Sequence, residues 1–138
     1  MTTDDRHARL ARARQALSAA GIDALLVTPG PDLRYLTGYD AVPLERLTCL
    51  LVPADGDPTL VVPALERPAA LASPVGALGI DVLDWQETDD PVALAAAQVK
   101  AAARVAVDDH MWAEKVLRFR QAMPEAEQVA AGAILSDL

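Results

Sequence analysis

The densest concentration of groups able to hold a divalent ion is Asp108-Asp109-His110, two carboxylates and an imidazole directly after the apolar run Val105-Ala106-Val107. Hard and borderline cations need oxygen and nitrogen ligands that converge from several elements. His7, the other histidine, falls in an arginine-rich first helix, and consecutive residues at a strand end point in different directions. The expectation is that Asp108 or Asp109 caps a following helix, with His110 solvated in its first turn and no metal held. Nucleophilic catalysis needs a Ser, Cys or Thr beside a base fixed by a third group. Ser18, Ser73 and Ser136 lie in no nucleophile elbow, and Cys49, the single cysteine, sits inside the apolar run Leu47 to Val52 as a small buried hydrophobe. Thr28-Pro-Gly-Pro-Asp32 supplies one glycine where a phosphate-binding turn needs several. A receiver-type phospho-acceptor at Asp108-Asp109 has the wrong chain order. No catalytic residue is expected in this chain.

The elements that must position a site centre on Ala24 to Tyr39. Ile22 to Val27 is a run apolar but for Asp23 and cut off by Pro29-Gly30-Pro31, which reads as a buried strand ending in a forced turn. One or two helical turns follow from Asp32, which is expected to accept from the first free N–H groups, to Leu36, with Gly38 as a left-handed stop. Tyr35 and Tyr39 flank that stop, either as core or lid packing or as ligand contacts. Ligands of open α/β sheets are met at the carboxyl ends of strands, so this loop is the first place to look.

Around it, Thr3 or Asp4 can cap a first helix to Ala20, with Leu10, Ala13, Leu17 and Ala20 on one face and Arg6, Arg9, Arg12 and Arg14 largely on the other. Leu47 to Val52 and Pro58 to Val62, joined across Asp55-Gly56, read as a β-hairpin, which makes the sheet mixed. Pro68 and Pro74 break the helical composition from Pro63 to Leu78 into short pieces. Asp81 to Trp85 alternates as a half-buried or edge strand does, and Asp90-Pro91 starts a helix expected to reach about Ala103. Arg104 to Val107 is a buried strand. The next helix is expected to present Trp112, Val116, Phe119 and Met123 on one face, and Glu127 to Val129 forms a last strand before a helical start at Ala133 to Leu138.

Composition bounds the function. The chain has 138 residues, 52% of them hydrophobic and only 4% aromatic, which suits one α/β domain with an aliphatic core. A net charge of −8 repels nucleic acid and anionic membrane surfaces. There is no signal-peptide core and no run near ~18 apolar residues, so the expectation is a cytoplasmic protein without a membrane partner.

The helix with Arg9-Leu-Ala-Arg12, the run Gly21-Ile-Asp-Ala-Leu-Leu-Val-Thr28 and, most specifically, Asp32-Leu-Arg-Tyr-Leu-Thr-Gly-Tyr39 closely resemble the amino-terminal domain of the creatinase/prolidase/Xaa-Pro aminopeptidase family. Arg46 to Pro53, Leu60 to Pro63 and Val105 to Trp112 continue the similarity over essentially the whole chain, residues 1–138 as a single such domain. The resemblance implies a mixed sheet of about five or six strands with helices on both faces, ribonuclease-H-like. It also implies a downstream pita-bread catalytic domain, absent here, as this domain's partner, and a homodimer of the full-length protein. In peptidase relatives that second domain holds two divalent ions, such as Mn, Co or Zn, on two Asp, one His and two Glu, and the ions activate a hydroxide. Creatinase-like relatives work without the pair. None of those ligand motifs is present here, so this domain is expected to carry no cofactor and to be inactive alone. By the same analogy Arg34, Tyr35, Tyr39 and Asp40 line the substrate entrance, with Gly30 and Gly38 as structural turns. Arg34 would pair with a carboxylate, and the tyrosines would limit what fits beside a proline ring. The alternative is a self-standing α/β module that binds a small molecule at the loop after Val27.

Overall fold

The computed structural model describes residues 2–136. The first helix, α1 (Thr3–Ala19), is capped by Thr2 rather than by Thr3 or Asp4, through a reciprocal pair in which the Asp5 N–H donates to Thr2 Oγ1 and the Thr2 N–H donates to Asp5. It leads into β1 (Ala24–Val27), then α2 (Pro31–Thr37), β2 (Cys49–Pro53) and β3 (Thr59–Pro63). The broken helical region comprises a 3-10 turn (Ala64–Glu66), α3 (Arg67–Ala72) and a second 3-10 turn (Gly76–Leu78). Then come β4 (Asp81–Trp85), α4 (Pro91–Ala97), β5 (Arg104–Val107), α5 (Ala113–Ala122), β6 (Glu127–Ala130) and α6 (Gly132–Leu135). The last two residues of the expected terminal helix, 137 and 138, lie outside the described residues.

The six strands form one sheet in the order β4-β3-β2-β1-β5-β6. β1 to β3 are antiparallel neighbours, as the Asp55-Gly56 hairpin requires, whereas β4, β5 and β6 pair parallel with β3, β1 and β5. The sheet is therefore mixed, and its interior strands read as continuous apolar runs because both faces are covered. Alternate residues of β1 go to opposite sides. Leu25 and Val27 join Leu10, Leu17, Leu33 and Leu36 of α1 and α2 on one face. Ala24 and Leu26 join Val92, Ala95 and Phe119 of α4 and α5 on the other.

Three helix boundaries depart from expectation. α4 stops at Ala97 instead of running to about Ala103, because its last turns tighten into i→i+3 bonds and the Asp23 carboxylate takes both the Ala103 and Arg104 N–H groups, pulling the chain into β5. α5 begins at Ala113, after a turn, with Trp112 as an exposed boundary residue rather than a member of the buried face. Ala20 is exposed beyond the end of α1, while Arg6 and Arg9 fold over α2 instead of facing solvent.

Candidate functional site

β1 and β5 are parallel neighbours whose onward connections leave in opposite directions, toward β2 on one side and β6 on the other, so their carboxyl ends form a switch point of the sheet. Thr28 emerges from β1 and Asp108 from β5. The Asp108 carboxylate is buried, and its Oδ2 accepts from both the N–H and the hydroxyl of Thr28, each at 2.7 Å. Its Oδ1 accepts from the His110 N–H at 2.8 Å. Asp108 therefore staples two strand ends together and is not a cap for α5. Asp109 does meet a helix start, but that of α6, where its Oδ1 accepts from the Gly132 N–H at 2.9 Å.

Gly30, with φ 155°, precedes the first residue of α2, and no side chain caps the helix start, so the expected acceptance of its free N–H groups by Asp32 is not made. Its carboxyl turns instead toward Asp108 and His110, and one ligand atom from each of the three lies within 4.8 Å of the others. Burial, followed by the charge of Asp108, raises the Asp32 carboxyl above its ordinary value, partly offset by His110. Consecutive Asp108 and Asp109 turn to different partners, Thr28 and Gly132, whereas Asp108 and His110, two apart, come together with Asp32. Asp108 ties Thr28 to the His110 main chain, and the trio differs from a set of two Asp, one His and two Glu.

The structure spreads the four expected entrance residues over two environments. Arg34 and Asp40 are exposed and form an ion pair at 3.4 Å. Tyr39 is only 6% exposed and belongs to the core that α1 and α2 share with the sheet, where burial and then Glu66 push its hydroxyl up. With Asp40, Ala41, Val42, Leu44, Arg46 and others it borders an open groove of about 390 Å³. Tyr35 is half-buried beneath Arg9, whose guanidinium sits 3.8 Å above the ring and whose Nη1 donates to the Tyr35 carbonyl at 2.8 Å. Gly38 closes α2 at φ 78°, with the Arg6 guanidinium laid against it.

Cys49 is fully buried, and burial drives its thiol well above the usual range, so it packs as a hydrophobe. Lys115 belongs to no chemical motif, yet it is buried and lines, with Thr28, Leu44, Thr48, His110 and Trp112, a cavity of about 20 Å³ beside the strand ends. Helical spacing carried the signal, since Lys115 stands one turn before Phe119 on the buried face.

A family model described as Creatinase/Prolidase N-terminal domain matches residues 9–138. Over 116 residues the chain is 43% identical to a probable dipeptidase PepE of Mycobacterium tuberculosis, covering 83% of this chain and 31% of that protein. The crystal structure of dipeptidase PepE from Mycobacterium ulcerans superposes with a TM-score of 0.93 at 41% identity, over 100% of this chain and 37% of that one. The Creatinase/Prolidase N-terminal domain of an X-Pro dipeptidase from Streptococcus pyogenes shares the fold, with a TM-score of 0.83 at 23% identity, over 95% of this chain and 98% of that chain. The chain spans about a third of the length of its PepE relatives.

Proposed function

The chain belongs to the Creatinase/Prolidase N-terminal domain family, and from that premise we propose that it is the non-catalytic amino-terminal domain of an Xaa-Pro dipeptidase-like hydrolase, serving subunit association and shaping the substrate entrance. One observation carries the reading: the whole chain corresponds to 37% of a dipeptidase, which leaves room for a separate catalytic domain. In that parent a divalent metal pair would supply an activated hydroxide from the second domain. The contribution of this chain is a rigid wall. Arg9 holds the Tyr35 carbonyl and Arg6 lies against the turn at Gly38, so α1 backs α2 and the exposed Arg34–Asp40 pair beyond it. Arg34 offers a planar fork to a peptide carboxylate, and the groove beside Tyr39 offers apolar surface to a ring.

The test is direct. This chain incubated with manganese and an Xaa-Pro dipeptide should give no hydrolysis, and a full-length parent should hydrolyse the same dipeptide. Turnover by this chain alone overturns the reading. In the parent, Arg34→Ala should raise KM with little change in kcat, because the residue is exposed and bears on substrate rather than on folding.

A further inference from the structure

Lys115 breaks two local rules at once. It is the third residue of α5, where the unpaired N–H groups of a helix start disfavour a cation, and its side chain is only 8% exposed, where burial disfavours any charge. Residues kept against their local preference collect where a fold serves something besides its own stability. Two groups hold Lys115 in place. Its Nζ lies 2.9 Å from the Glu114 carboxylate and donates to the main-chain carbonyl of Glu45 at 2.5 Å.

Glu45 belongs to the segment 39–48, which crosses the strand ends between α2 and β2. Among the described residues, no backbone–backbone hydrogen bond involves this segment. Its course is set by side chains: at its start the Tyr39 N–H donates to Thr37 Oγ1 at 3.1 Å and Asp40 pairs with Arg34, and toward its end Lys115 holds the Glu45 carbonyl, the Trp85 indole N–H donates to the Leu47 carbonyl at 2.9 Å and Arg46 pairs with Glu87 at 2.6 Å. Both ion pairs are solvent-exposed and weak. Trp85 acts at the end nearest β2. Lys115 is the buried tether at the far end of the mostly exposed stretch from Asp40 to Leu44, and Leu44 lines the cavity with it.

We propose that Lys115 is a positioning residue for the substrate entrance, holding the segment 39–48 by the Glu45 carbonyl so that Asp40 and Leu44 keep a fixed place at the mouth of the site. This rests on the reading that the loop from Pro29 to Asp40 and its continuation face the substrate. Without the tether the stretch splays, and the substrate meets a looser wall while the reacting groups in the second domain are untouched.

Lys115→Met preserves side-chain length and removes the donor and the charge. In this chain, native-state trypsin cleavage after Arg46, read by mass spectrometry, should speed up about tenfold through local opening, with cleavage after the other arginines unchanged. In the full-length dipeptidase the same substitution should raise KM for an Xaa-Pro dipeptide about five- to tenfold, with kcat within about twofold. Unchanged cleavage after Arg46 overturns the tether itself. Faster cleavage at every site assigns Lys115 to global stability and overturns the proposal as well. Selective cleavage with an unchanged KM leaves the tether standing but removes the entrance reading beneath it, so the two failures are told apart.

Discussion

Replacing Gly38 by Ala perturbs the joint that fixes the candidate entrance, and its cost divides into two parts. Gly38 has φ 78° and ψ 0°, in the left-handed region where an L side chain costs about 1–2 kcal/mol. The reduced freedom of alanine in the unfolded chain offsets about 0.4–1 kcal/mol, leaving a backbone cost of about 1 kcal/mol. The second part is steric. A Cβ at this position would stand 2.7 Å from Arg6 Nε and 2.8 Å from Cζ, so the guanidinium must swing away. Forcing that flexible side chain out of its rotamer adds about 0.5–1.5 kcal/mol, for a total of about 2 kcal/mol. With 138 residues the unfolding entropy is about 0.29 kcal/mol/K, so the midpoint should fall by about 7 °C. Thermal and urea unfolding of the parent chain, Gly38→Ala, Arg6→Ala and the double variant would separate the parts. The backbone cost should survive in the Arg6→Ala background, whereas the steric part should vanish and give a coupling of about 1 kcal/mol. A total below about 0.5 kcal/mol would refute the left-handed argument. Zero coupling would refute the contact with Arg6.

Two further outcomes are expected. Because Asp32 is raised by burial and Asp108, the folded chain holds that proton more tightly than the unfolded chain, so this group's contribution is greatest below its ordinary 3.8 and declines as pH rises through the folded value. Asp32→Asn should therefore raise the melting midpoint at pH 7, with the advantage fading as pH falls through the folded value toward 3.8 and gone below it; a lower midpoint at pH 7 would show that Asp32 is not an electrostatic burden. Phe119, with no exposed surface, fills the core between α5 and the sheet. Phe119→Ala should cost about 3–5 kcal/mol by urea unfolding, and a loss under about 1 kcal/mol would mean the cavity collapses or the ring is not packed.

The strands were legible in the amino-acid order alone, because runs punctuated by Pro29-Gly30-Pro31, Asp55-Gly56 and Asp90-Pro91 leave few alternatives for the first four, and all six lie within about two residues of the expected runs. That order also determined the local devices that depend only on neighbours: the left-handed stop at Gly38, the Asp90 cap, whose Oδ1 accepts from the Ala93 N–H at 3.1 Å, and the burial of Cys49. Through Asp32 to Tyr39 it pointed to the family. Tertiary structure decided whatever depends on partners far along the chain. Asp108 and Asp109 were legible as helix-capping types, but Asp108 is claimed by Thr28, 80 positions away, and Asp109 by Gly132. Arg6 and Arg9 satisfied the polar side of an amphipathic pattern, yet α2 packs against α1 and gives them a carbonyl, a ring and a glycine to cover. Lys115 has the periodicity of a core position and the chemistry of a surface one, and only the passage of Glu45 across the strand ends resolves that conflict. Capping, turning and burial are settled within a few residues, whereas the partner of a long or charged side chain is settled by which strands become neighbours.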